Sequence, residues 1–135
     1  MTHTQQMLQT NPSSAAVDAS TLVECIEACF DCAQSCTACA DACLGEHDPK
    51  SLSRCIGLNL DCADVCDTTG RILSRQTAFE PEMARAMLQA CAESCRLCGD
   101  ECEQHSSHHE HCRVCAEACR RCAEACNNVL SAMSA

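Results

Sequence analysis

The chain has few large side chains with which to build an interior: two Phe, no Trp and no Tyr among 135 residues. An ordinary core anchored on aromatics is therefore excluded, and the inside must be filled by something smaller. Positive charge is also scarce. Nine Lys and Arg stand against nineteen Asp and Glu, a formal charge of −10, which argues against nucleic acid and against anionic membrane surfaces as partners. No apolar run approaches the roughly 20 residues that span a bilayer. The first ten residues, Met1 to Thr10, hold no basic stretch, no twin arginine and no apolar segment. An export signal is not expected there, and a reducing cytosol is the expected compartment. At this length a single domain is expected.

What the chain has in abundance is cysteine, eighteen residues in all. They keep helical time. Cys25, Cys29, Cys32, Cys36, Cys39 and Cys43 follow one another in steps of four and three. Cys112, Cys115, Cys119, Cys122 and Cys126 do the same. Cys55, Cys62 and Cys66 form a sparser run, and Cys91, Cys95, Cys98 and Cys102 another. A step of three or four is one helical turn, so each run is a stripe on one face, in the place where bundles carry Leu, Ile and Val. In a secreted chain such a count reads as a disulfide framework; in a reducing cytosol it points to metal or catalysis. Neighbouring cysteines on one helix also have nearly parallel Cα–Cβ vectors, a poor start for the disulfide dihedral.

The punctuation predicts four long helices and a short fifth. Residues 1–10 form a short helix ended by Asn11-Pro12 and followed by a linker, so residues 1–17 precede the main domain, 18–135. A capping box at Thr21–Glu24, or a cap at Asp18 or Ser20, opens a helix that runs to Leu44 with Gly45 as its stop. Asp48-Pro49 opens the next, which ends near Ser74; Pro81 opens a third; and a box at Ser107–Glu110 opens the last, which runs to about Ser131. No segment alternates as a strand does. The expected fold is all-α, an antiparallel up-down-up-down four-helix bundle with a short extra N-terminal helix. On the first long helix a flanking stripe, Ile26, Phe30, Ala33, Thr37, Ala40 and Leu44, is expected to add ordinary packing.

Inward thiols at ligand spacing suggest a container for soft metal ions. The five Cys-x-x-Cys pairs (Cys29/Cys32, Cys36/Cys39, Cys95/Cys98, Cys112/Cys115 and Cys119/Cys122) lie mid-helix, unlike zinc and iron–sulfur sites, which usually draw their ligands from turns. Several doubly negative zinc tetrathiolates in one core would be costly to bury. Cu(I) is soft, accepts two or three sulfurs and can share a thiolate with a second ion; at about one Cu(I) per thiolate the filled core is neutral. A zinc-buffering, metallothionein-like protein and a thiol redox protein remain alternatives. No single low-pKa cysteine stands out for the latter, and no nucleophile–base–orienter set supports an enzyme.

The topology gives the container two different ends. His47, His105, His108, His109 and His111 gather at one pole. His105 follows Cys102 by three residues and His109 precedes Cys112 by three, so both extend the stripes and join the eighteen cysteines as expected ligands. Copper is expected to pass in and out at this pole. Leu22, Ile72, Leu73, Phe79, Met87, Leu88, Val129, Leu130 and Met133 plug the other. On the second long helix the inward path reads Leu52, Cys55, Asn59, Cys62, Cys66, Thr69, Leu73, with Asn59 where a cysteine is expected.

The run Cys25-Ile-Glu-Ala-Cys29-Phe-Asp-Cys32-Ala-Gln-Ser-Cys36-Thr-Ala-Cys39-Ala-Asp-Ala-Cys43, with Leu60-Asp-Cys62-Ala-Asp-Val-Cys66, resembles the bacterial copper storage proteins over roughly residues 18–131, and specifically their cytosolic branch. The resemblance implies storage of many Cu(I) ions on cysteine thiolates inside the bundle, and a homotetramer of bundles. Copper ions are the expected ligand, with copper chaperones or cuproenzymes as protein partners.

Overall fold

A computed structural model describes residues 1–134. Five α-helices follow one another: α1 (His3–Thr10), α2 (Ala19–Leu44), α3 (Ser53–Leu73), α4 (Pro81–Gln104) and α5 (Glu110–Ser134), with a 3₁₀ turn at Pro49–Leu52 before α3. Helices α2 to α5 pack as the four corners of a square. Each touches its two neighbours, whereas the diagonal pairs α2/α4 and α3/α5 make no Cα–Cα approach within 8 Å. Short connections make the bundle antiparallel. The long axis follows α2, whose 26 residues span about 39 Å at 1.5 Å per residue.

The helix ends are set by local hydrogen bonding. Thr2 and Gln5 form a reciprocal capping box on α1, and the Thr2 hydroxyl also donates to Glu27 Oε1 at 2.6 Å, tying α1 to α2. Asp18 caps α2, accepting from the backbone N–H and the hydroxyl of Thr21, both at 3.1 Å. The helix thus begins with Asp18 as its cap, and Thr21 lies inside it. Gly45 ends α2 at φ −83°, so the stop is a right-handed turn that needs no glycine-only conformation. The expected start of the next helix at Pro49 is delayed to Ser53. The Ser51 and Ser53 hydroxyls fold back onto the Asp48 and Lys50 carbonyls, both at 2.8 Å, and the stretch between closes as a tighter turn. Helix α5 starts at Glu110, with Cys112 N–H and Arg113 N–H both donating to the His109 carbonyl; the cap position is therefore His109 and not Ser107.

All eighteen cysteines are free and buried. They replace the aliphatic layers of an ordinary bundle. Large aliphatic side chains gather at the ends, with Leu22, Leu73, Leu88 and Val129 fully buried at one pole and Leu52 at the other. Phe79, Leu130 and Met133 pack on the first group. The N-terminal segment covers the same pole. Leu8, Ala15 and Val17 pack against the core, and Gln76, itself only 4% exposed, accepts from Ala16 N–H at 2.8 Å while donating to the Leu73 carbonyl at 2.7 Å. The flanking stripe of α2 contributes less than its spacing predicts. Ile26 and Ala40 are buried, but Leu44 and Phe30 are exposed, because the square is already filled by sulfur and the flank meets only the edge of α3. There the Phe30 ring lies over Gly70, about where a Cβ would stand.

Candidate metal centre

The sulfur stripes meet along the bundle axis and form a continuous column. Near the plugged pole, Cys25 and Cys126 lie 3.9 Å apart, and Cys29 and Cys122 3.8 Å. Next come Cys66 with Cys95 at 3.6 Å and Cys62 with Cys95 at 3.8 Å. Farther along, Cys115 lies 3.7 Å from Cys36, which is itself 3.9 Å from Cys98. At the histidine pole Cys55 meets Cys102 at 3.6 Å, and Cys39 meets Cys112 at 3.9 Å.

These spacings suit a metal. With a metal–sulfur bond of about 2.3 Å, the sulfur–sulfur edge is about 3.8 Å in a tetrahedral site and about 4.0 Å in a trigonal one. Groups whose ligand atoms all lie within 4.8 Å of one another include Cys29/Cys91/Cys122/Cys126, Cys32/Cys66/Cys95/Cys122, Cys32/Cys36/Cys62/Cys119 and Cys36/Cys98/Cys115/Cys119. Cys122, Cys32, Cys36 and Cys119 each belong to two of them. The groups therefore interlock, and filling neighbouring ones requires thiolates that bridge two ions.

Proton sharing shapes the metal-free column. Hydrogen bonding with Cys119 first and Cys32 next pushes the pKa of Cys62 down; the thiol of Cys102, then that of Cys39, lowers Cys55 to about 3. The protons must stay somewhere. Cys29 is pushed up by its hydrogen bond to Cys122, and Cys43 to about 11, by burial first and by repulsion from Cys55 second. Packed thiols thus cannot all ionise together. A monovalent cation removes the conflict by replacing each proton with an equal charge.

Asn59 interrupts the column. It is fully buried. Its Oδ1 accepts from the thiols of Cys98 at 3.0 Å, Cys115 at 3.1 Å and Cys102 at 3.5 Å, and its Nδ2 donates to Cys55 Sγ at 3.6 Å. The amide thereby satisfies its own polar atoms and ties α3 to α4 and α5.

At the histidine pole the rings divide differently from what their spacing predicts. Spacing predicts that His105 and His109 extend the sulfur stripes. The structure turns His105 Nε2 back to Glu101 Oε2 at 2.8 Å and His109 Nδ1 to Glu46 Oε2 at 2.8 Å. Both rings sit at helix-flanking positions where a carboxylate lies closer to hand. His111 instead brings its Nδ1 to 3.4 Å from Cys39 Sγ and 3.6 Å from Cys112 Sγ, and it completes a group with Cys39, Cys43 and Cys112. A signal for it exists in the sequence, since His111 precedes Cys115 by four and so continues the last stripe. Glu101, 9% exposed, also accepts from Arg54 Nε at 3.1 Å and so joins α3 to α4. His47 and His108 are exposed, and His3 lies on α1.

A family model for copper storage proteins matches residues 18–131. The chain is 51% identical to the Streptomyces lividans copper storage protein Ccsp loaded with ten copper equivalents, with a TM-score of 0.93 over 96% of this chain and 98% of that one. A five-copper structure from the same organism, described as a cytosolic copper storage protein, is 54% identical, with a TM-score of 0.82 over 83% of this chain and 93% of that one. The Cu(I)-bound copper storage protein BsCsp3 is 40% identical, with a TM-score of 0.68 over 76% of this chain and 92% of that one.

Proposed function

The chain belongs to the copper storage protein family, and on that premise we propose that it stores Cu(I) at high capacity on the thiolates of its eighteen cysteines, in the cytosol. The observation that carries this reading is the interlocking of the sulfur groups through Cys32, Cys36, Cys119 and Cys122. Shared corners suit an ion that accepts two or three sulfurs and tolerates bridging thiolates. They do not suit separate tetrahedral zinc sites, each of which adds two negative charges to a buried core. One Cu(I) per thiolate leaves the column neutral at any filling.

The mouth is the pole of Glu46, Glu101 and the histidines. His111 with Cys39, Cys43 and Cys112 forms the outermost ligand group, and imidazole followed by thiolate gives a path of increasing affinity inward. His105 and His109 serve there as flanking groups that can also meet copper in transit. On this reading the protein acts as a binding protein and not as an enzyme, and the buried thiols that touch His111, those of Cys39 and Cys112, serve as ligands. Homotetrameric assembly, and exchange of copper with chaperones or cuproenzymes, complete the proposed biology.

Anaerobic titration of the reduced protein with Cu(I), followed by native mass spectrometry, tests the reading. Saturation near one ion per cysteine is expected. Saturation at four or five ions, or displacement of Cu(I) by stoichiometric Zn(II), would replace it with zinc buffering.

A further inference from the structure

Glu46 stands one residue beyond Gly45 in the connection from α2 to α3, with its N–H donating to the Cys43 carbonyl at 3.2 Å. A single carboxylate oxygen, Oε2, lies 2.8 Å from His111 Nε2 and 2.8 Å from His109 Nδ1. The two imidazoles stack behind it, with centroids 5.6 Å apart and planes 24° apart. An ionised carboxylate only accepts, so each ring nitrogen facing it carries a hydrogen. For His111 the consequence is specific. The proton sits on Nε2, and the lone pair is left on Nδ1, the atom that faces Cys39 Sγ and Cys112 Sγ. For His109 the same oxygen takes the hydrogen of Nδ1 instead.

We infer that Glu46 is the positioning residue of the copper mouth: it fixes the tautomer and orientation of His111 so that Nδ1 meets an arriving Cu(I) ion as a ready ligand beside Cys39 and Cys112. The inference rests on the storage reading above and adds to it a residue that touches no metal. A carboxylate behind a ligating imidazole raises its basicity and holds its plane. Held in that orientation, the ring need not reorder before capture. Glu46 is suited to the task by its place directly after Gly45, where its backbone N–H is held by the Cys43 carbonyl and its carboxylate reaches the His111 ring. It also couples the end of α2 to the start of α5 across the mouth.

Glu46→Ala, Glu46→Gln and His111→Ala separate the possibilities, with circular dichroism confirming that each variant is folded. The first readout needs no copper: ¹⁵N shifts of the His111 ring in reduced, metal-free protein. The wild type should show the Nε2–H tautomer, Glu46→Gln should keep it because the amide oxygen still accepts, and Glu46→Ala should lose it. The second is stopped-flow transfer of substoichiometric Cu(I) from a chelating donor. Glu46→Ala should slow the first phase by about tenfold, toward the His111→Ala rate, while Glu46→Gln stays near wild type and final capacity is unchanged in both Glu46 variants. Wild-type tautomer and rate in Glu46→Ala would overturn the inference. Equal slowing in Glu46→Gln with the tautomer intact would also overturn it, by showing that charge alone attracts copper. Unchanged uptake in His111→Ala would remove both the inference and the place of His111 as a ligand, while the capacity measurement would still decide storage by itself.

Discussion

The amide oxygen of Asn59 accepts the thiol of Cys98 at 3.0 Å, and in doing so takes the one turn of the α3 stripe that lacks a cysteine between Cys55 and Cys62. The same oxygen holds Cys115 and Cys102, so a neutral amide sits among thiols that all face it. Asn59→Cys should therefore join the interrupted column. The smaller side chain fits without overpacking, and a thiol can replace the amide as a weak partner for its neighbours. Copper capacity is expected to rise by about one ion per chain, read by native mass spectrometry after anaerobic loading. An unchanged capacity would mean that the sulfur at this position reaches no ion.

Cys36 belongs to two interlocking groups and lies within 4 Å of Cys32, Cys98, Cys115 and Cys119. Its loss should be absorbed by the neighbours it bridges. Cys36→Ala is expected to lower capacity by about one or two ions and to leave the bundle helical, since Ala is the best helix former. Titration against a Cu(I) chromophore would measure the change. Abolished binding would point to one dedicated site instead of a distributed store.

Much of this arrangement can be read from the chain alone, because a stripe in steps of three and four carries its own direction. The inward path Leu52, Cys55, Asn59, Cys62, Cys66, Thr69, Leu73 is buried throughout, and of the expected plug Leu22, Leu73, Leu88 and Val129 are buried and Phe79, Leu130 and Met133 pack on the core, whereas Ile72 and Met87 are only half-buried. Three features escape such reading, each for a physical reason. The start of α3 depends on the Ser51 and Ser53 hydroxyls preferring local carbonyls to solvent. The exposure of Phe30 and Leu44 depends on how little room sulfur leaves at the flank. The turning of the His105 and His109 rings onto carboxylates, and of His111 Nδ1 toward sulfur, depends on Glu101 and Glu46, and Glu46 lies 65 residues from His111 in sequence. Spacing identifies which side chains share a face, but not which carboxylate will turn a ring.

Gly57 lies in the first turns of α3 with nothing within 4 Å of where a Cβ would stand. It serves no close approach, unlike Gly70 beneath Phe30. Gly57→Ala should stabilise the metal-free bundle by about 1 kcal/mol through helix propensity alone, a rise of about 3–4 °C in thermal midpoint for a chain of this size. A fall in midpoint would show that this face of α3 is covered in solution by something that needs the bare backbone, such as a second copy.

Without metal, the bundle depends on its plugged pole for much of its apolar stabilisation. Thiols are small, and the column of Cys side chains offers less area per layer than Leu or Ile would. Leu22, Leu73, Leu88 and Val129 are the large buried aliphatics of that pole, and the N-terminal segment closes over them through Gln76. Leu88 is fully buried on α4, so truncating it removes apolar contacts and opens a cavity. Leu88→Ala should cost about 3 kcal/mol in the reduced, metal-free protein, which lowers its thermal midpoint by about 10 °C. Loading should mask the defect, because Cu(I) bound across four helices stabilises only the folded state. The measurement is a pair of melts followed by circular dichroism, one on apo protein and one on copper-loaded protein. A metal-free variant that melts like the wild type would place the stability in the sulfur column itself, and the plug would then be a seal with no share in holding the helices together.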